Sequence, residues 1–130
     1  MEYSLVLPES EVASVVSVDP DIQVRFSAAA TLLASAANGE KPTQGFSRGV
    51  ALQLRGAQII AEQESQLGRV SGGRLQVGGQ LLPQVPLPFE FKGPVHLELA
   101  FANRAYLVAA GSGVILRFEV QANFTESLAC

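Results

Sequence analysis

Cysteine, histidine, methionine and tryptophan are nearly missing from this chain: one, one, one and none in 130 residues. A lone cysteine, Cys130, leaves no internal disulfide framework, and with a lone histidine, His96, it leaves no Cys/His set for zinc. Charge is sparse as well, at 16% of residues, and its balance is acidic with a formal net charge of -3. The arginines are scattered from Arg25 to Arg117 with no basic run, so nucleic acid is not an expected partner. Long apolar runs are absent too. The stretch Ser27 to Ala37 is mostly alanine and too short to cross a bilayer, so no membrane is expected either.

The opening residues, Met1 to Glu11, carry no basic region, and their apolar run Leu5-Val6-Leu7 stops at Pro8, unlike a secretory leader. The expectation is a cytoplasmic protein, and the excess of arginine over lysine, with abundant alanine and glycine, suits a GC-rich bacterial gene. Asn123-Phe124-Thr125 has the form of a glycosylation acceptor, which without a secretory route is a coincidence of sequence.

What is present is apolar: 48% of residues are hydrophobic, enough for one domain over 1–130 that buries roughly two-thirds of its unfolded surface. The dominant period is two. Apolar and polar residues alternate over Ile22–Ala28, Val50–Arg55, Val95–Phe101 and Val114–Val120. Such a pattern wets one face of a strand and buries the other, whereas covered parallel strands read as continuous apolar runs. The fold expected is all-β: a single small antiparallel β-barrel or β-sandwich, meander-rich, with little helix.

Turn residues divide the chain. Asp19-Pro20-Asp21 separates strands Val12–Val18 and Ile22–Ala28. Gly72-Gly73 and Gly78-Gly79 bound a very short strand, Arg74–Val77, with shorter candidates at Gln58–Glu62, Leu67–Val70 and Pro88–Lys92. Ala102-Asn103-Arg104 reads as a tight hairpin with Asn103 left-handed, and Gly111-Ser112-Gly113 as a second turn, making a three-stranded meander. Leu81 to Pro88, with three prolines, reads as an edge or connection. Residues 39–49 read as an exposed loop and 122–130 as a frayed tail. Over 27–38 alanine favours helix while continuity favours strand; the balance tips to a strand through about Leu33, with Asn38-Gly39 as a stop.

Catalytic parts are mostly wanting. A triad needs an imidazole base, and His96 lies on the polar side of an alternating strand, the ordinary place for a surface histidine. Cys130, at the chain end, lacks fixed positive neighbours to activate it. Glu62 and Glu64 suit a solvated edge, and Asp19 and Asp21 a turn. The one polar constellation to single out is a surface cluster of His96, Glu98, Arg117 and Glu119 on the meander. Gly68 to Gly73 lacks the lysine–serine ending of a phosphate loop, and no calcium or glycosidase spacing is present. No cofactor and no enzymatic activity are expected.

One feature departs from a plain sheet. Ala51, Ala100, Ile115 and the run Tyr106 to Ala110 put apolar or small residues in the outward phase. Such strands want covering on both faces, by a second layer, a partner subunit or an apolar ligand. The functional expectation is a non-enzymatic cytosolic binding or protein-interaction module, self-associating or with another protein partner. The alternative is a small carrier binding an apolar ligand in a β-barrel cavity.

Overall fold

The computed structural model describes residues 2–34, 41–63 and 66–127. Its elements are twelve strands: β1 (Glu2–Leu5), β2 (Glu11–Val18), β3 (Asp21–Ala34), β4 (Thr43–Ser47), β5 (Val50–Arg55), β6 (Gln58–Gln63), β7 (Gly68–Val77), β8 (Gln80–Leu82), β9 (Val85–Leu87), β10 (Phe89–Phe101), β11 (Tyr106–Phe118) and β12 (Thr125–Glu126). Every pairing is antiparallel. No helix occurs among the described residues, so none is long and apolar enough to cross a membrane.

The alternating sequence accounts for the architecture through one long strand. β3 takes β1 and then β2 along one edge, and β4 and then β5 along the other. Its first half, with Ile22, Val24 and Phe26 buried, belongs to a ring in which each strand pairs with the next: β3-β2-β7-β10-β11-β5 and back to β3. Its second half is the centre of a five-stranded layer, β9-β1-β3-β4-β12. Barrel and sandwich features therefore coexist. Fully buried Leu52, Leu54, Leu75, Leu97, Leu107 and Leu116 fill the ring, and Leu5 and Val85 bring the second layer into the same core. The ring is unequally sewn: β2 meets β7 through only two residue pairs, Glu11–Arg69 and Val12–Gly68.

Several expectations are corrected. Gly111-Ser112-Gly113 is no turn; β11 runs straight through it, so the meander is a two-stranded hairpin. Here β10 bulges at Gly93-Pro94 while β11 changes partner on its other edge from β5 to β6. A side chain at Gly111 would stand 2.7 Å from the Arg55 carbonyl oxygen, so glycine marks a close backbone approach. Gly72-Gly73 likewise lies inside β7, where a Cβ at Gly73 would sit 3.1 Å from the Leu7 Cβ. In the β10–β11 hairpin the left-handed residue is Arg104 (φ 72°), because the Asn103 side chain accepts the Ala105 N–H instead.

The expected 39–49 loop and 122–130 tail are corrected together over their described residues, 41–49 and 122–127. Thr43–Ser47 is β4, paired with β3, and Thr125–Glu126 adds β12 to its far edge. The polar residues are there to make the join. Ser47 Oγ donates to the Asn123 carbonyl at 2.6 Å, the Asn123 side chain accepts the Arg48 N–H at 2.8 Å, and its amide donates to the Arg48 carbonyl at 2.9 Å. The 27–38 segment continues as strand to Ala34, past the expected Leu33. The Asn38-Gly39 stop, Glu64 and Cys130 lie outside the described residues.

Candidate functional site

The structure divides the predicted polar cluster. His96 and Glu98 lie on the outer face of β10, where Glu98 Oε2 accepts from Arg74 Nε of β7 at 2.9 Å and its other oxygen lies 3.8 Å from His96 Nε2. Glu98 faces Val108 on β11, whereas Arg117 stands nine residues farther along that strand, roughly 30 Å at the strand rise. Glu119 does not pair with Arg117: it accepts from Arg25 Nε of β3 at 3.0 Å and from Gln23 Nε2 at 3.4 Å. Arg74 and Arg25, which were not part of the expected cluster, are the true partners, since pairing is set by strand order across the ring. Both ion pairs are well exposed, a setting in which such pairs contribute under about 1 kcal/mol.

The outward apolar residues meet different fates. Ala51 is buried, in register between its cross-strand neighbours Arg25 and Arg117. Ile115 is half-buried. Ala100, Tyr106 and Val108 border a shallow depression of about 390 Å³, floored by Gly72 and Gly73 and edged by Arg74 and Glu98. A second groove, of about 480 Å³, lies on the outer side of the second layer. Ala30, Leu32 and Phe46 line it, between the Val6–Glu9 and Pro83–Gln84 segments. Both are surface features; the buried side chains of the ring face its interior. Among the described residues no group of three His, Cys, Asp or Glu side chains could hold a metal ion.

The most unusual surface is a strand edge. Bulges interrupt β2 near Val12 and Ala13, after which Ser14–Val18 pairs with β3 without a break. Beyond Val12 the opposite edge of β2 has no ladder partner among the described residues. Strand β6 resembles it, paired with β11 on one side alone. The chain on either side of this opening is joined at two places: Val12 pairs with Gly68 at the start of β7, and the N–H of Ala57, just before β6, donates to the Pro20 carbonyl, just after β2, at 2.7 Å. Side chains along this opening are apolar and wet: Val18 is 57% exposed, Ile60 58% and Leu67 52%, with Val16 also exposed.

The turn that ends β2 is held by a carboxylate. Asp21 accepts from Gln53 Nε2 at 2.7 Å and from the Gly56 N–H at 3.1 Å, tying the start of β3 to the β5–β6 bend. The Gln53 bond, then the Gly56 bond, with Arg55 nearby, hold its pKa below the ordinary 3.8 against the opposing effect of desolvation. In the sequence the edge is legible as seven residues, Val12 to Val18, with neither charge nor proline. That signal passes unnoticed where every strand is taken to be paired on both sides.

Fold and surface together define a class: an antiparallel all-β domain, ringed, in which parts of some strand edges have no ladder partner among the described residues. Comparison with known protein families, curated proteins and solved structures finds no match.

Proposed function

We propose that this protein is a non-enzymatic interaction module whose outer β2 edge receives an extended polypeptide segment. The observation that carries this reading is the β2 edge from Ala13 to Val18, which has no ladder partner among the described residues and bears exposed Val16 and Val18. Alternate N–H and C=O groups along such an edge point outward, and an added strand satisfies them while side-chain pockets select its sequence. Leucine side chains packed into the ring interior favour this over the carrier with a barrel cavity. A cytoplasmic home belongs to the same reading, supported by the single cysteine.

Selecting binders from a library of unstructured peptides tests it. Bound peptides should slow amide exchange at Ala13–Val18, and Val16→Lys should abolish their binding. Binders that protect other strands and tolerate Val16→Lys would overturn the reading.

A second reading attaches to the groove lined by Leu32 and Phe46, whose volume of about 480 Å³ falls in the range of small-molecule sites. There the protein would carry a small ligand with an apolar body. Extra mass in the native mass spectrum that vanishes on denaturation would support it, and Phe46→Ala should then reduce the bound fraction.

A further inference from the structure

We propose that the groove lined by Leu32 and Phe46 takes an uncharged amphiphile, with an apolar body and an amide-like head that both donates and accepts hydrogen bonds. This rests on the second reading above and names the class of its ligand.

The first ground is that one wall of the groove is fixed before any ligand arrives. Val6, Pro8 and Glu9 line that wall, and fully buried Ser10 roots it. The Ser10 hydroxyl donates to the Val6 carbonyl at 2.7 Å and accepts the Ala30 N–H at 2.8 Å. Its carbonyl accepts the Val70 N–H at 2.7 Å, and the Glu9 N–H donates to the Val70 carbonyl at 2.9 Å. A site shaped in advance spares its ligand the cost of ordering it. Ala30 and Leu32 of β3, with Phe46 of β4 partly exposed beside them, supply the apolar contact.

The second ground is charge. Among the described residues that line the groove, Glu9 alone is charged, and its carboxylate is already paired with Arg69, which is not one of them. The rim thus carries an acid together with its counter-charge. A carboxylate brought there meets Glu9 and an ammonium meets Arg69; either one loses water without gaining a free partner. What the groove offers instead is neutral: the side-chain amides of Gln44 and Gln84, each able to donate and to accept. Glu9 also holds a left-handed backbone (φ 75°), where glycine sits more easily. Glycine there would leave Arg69 uncompensated at the rim and turn the groove towards anions.

Three molecules sharing one alkyl chain provide the test: octanamide, octanoate and octylamine, titrated near neutral pH and followed by amide chemical shifts. Octanamide should shift the amides of Ala30, Leu32 and Phe46 and bind about tenfold more tightly than either charged molecule. Phe46→Ala should weaken it. Glu9→Gln, which frees Arg69, should raise the affinity for octanoate, and Arg69→Gln, which frees Glu9, should raise that for octylamine. Both side chains are well exposed, so neither change disturbs the core.

Equal binding of all three, or tighter binding of a charged one, with shifts centred on the groove would overturn the neutral-head proposal and leave the carrier reading standing. No binding by any of them, or binding that ignores Phe46→Ala, would overturn both. Octanamide binding seen only in a chain ending at Ser127 would make the chain's own end the occupant. A dimer that Phe46→Ala dissolves would make the occupant a second copy. Either of these last two results would overturn the proposal.

Discussion

Single residues in this protein do their work through contacts that a residue type alone does not announce. Asp21 reads as one of two acids flanking a turn proline, yet its carboxylate accepts one hydrogen bond from Gln53 of β5 and one from Gly56 in the β5–β6 bend. Its folded pKa lies below its unfolded value, so the unfolded chain binds more protons as the solution is acidified. The stabilisation from Asp21 is therefore complete above the ordinary carboxylate range and is lost as pH falls through the folded value. Urea midpoints should decline below about pH 4 in the native protein, and Asp21→Asn should flatten the part of that decline due to this group. Glycines divide in the same way. Gly111→Ala would drive a methyl toward the Arg55 carbonyl and the Leu54 side chain and should destabilise by about 1–3 kcal/mol. Gly72→Ala meets nothing within 4 Å and should be neutral or slightly stabilising in the same denaturation assay.

Strands were legible wherever alternation is clean. The stretch Ile22–Ala28 lies in β3 and Val50–Arg55 is β5, because burial on one face writes a period of two directly into the sequence. Glycines obscured β7 and β11: the same residue marks a turn and a strand passing close to a neighbour's backbone, and only the neighbour tells which. The polar β4 was invisible for a related reason. Its Gly45 lies under the Phe124 ring and the Thr125 carbonyl, and its hydrogen bonds reach Asn123, 76 residues from Ser47. Asn123 therefore acts as the clasp of β12. Asn123→Ala should cost about 0.5–1.5 kcal/mol, since it removes the bonds to the Arg48 N–H and C=O and leaves them to water, and the Arg48 and Ser127 amides should lose protection first. Of the candidate site, the nearness of His96 to Glu98 was visible, but the arginines that pair with Glu98 and Glu119, Arg74 and Arg25, were not. Strand order around a ring cannot be read from local pattern.

Across the whole molecule the sewing is uneven. The β10–β11 hairpin pairs over nearly its full length, while the ring closes between β2 and β7 through two residue pairs. Native-state exchange should show the Glu11, Val12, Gly68 and Arg69 region opening at lower free energy than the β10–β11 ladder. Equal protection in the two regions would contradict this account of the closure. Pairings such as β1–β9 and β4–β12 join distant parts of the chain, and such topologies fold in milliseconds to seconds.

The place of β11 in the chain has a consequence for biosynthesis. It is the strand that joins β10 to both β5 and β6, and its residues 106–118 come after all three have been made. At roughly 5–20 residues per second, the ribosome holds the ring open for several seconds with the edges of β5, β6 and β10 bare. A nascent chain stalled before Tyr106 should thus be a strong client for chaperones and prone to aggregate, and release of Phe118 from the exit tunnel is the event that ends that exposure.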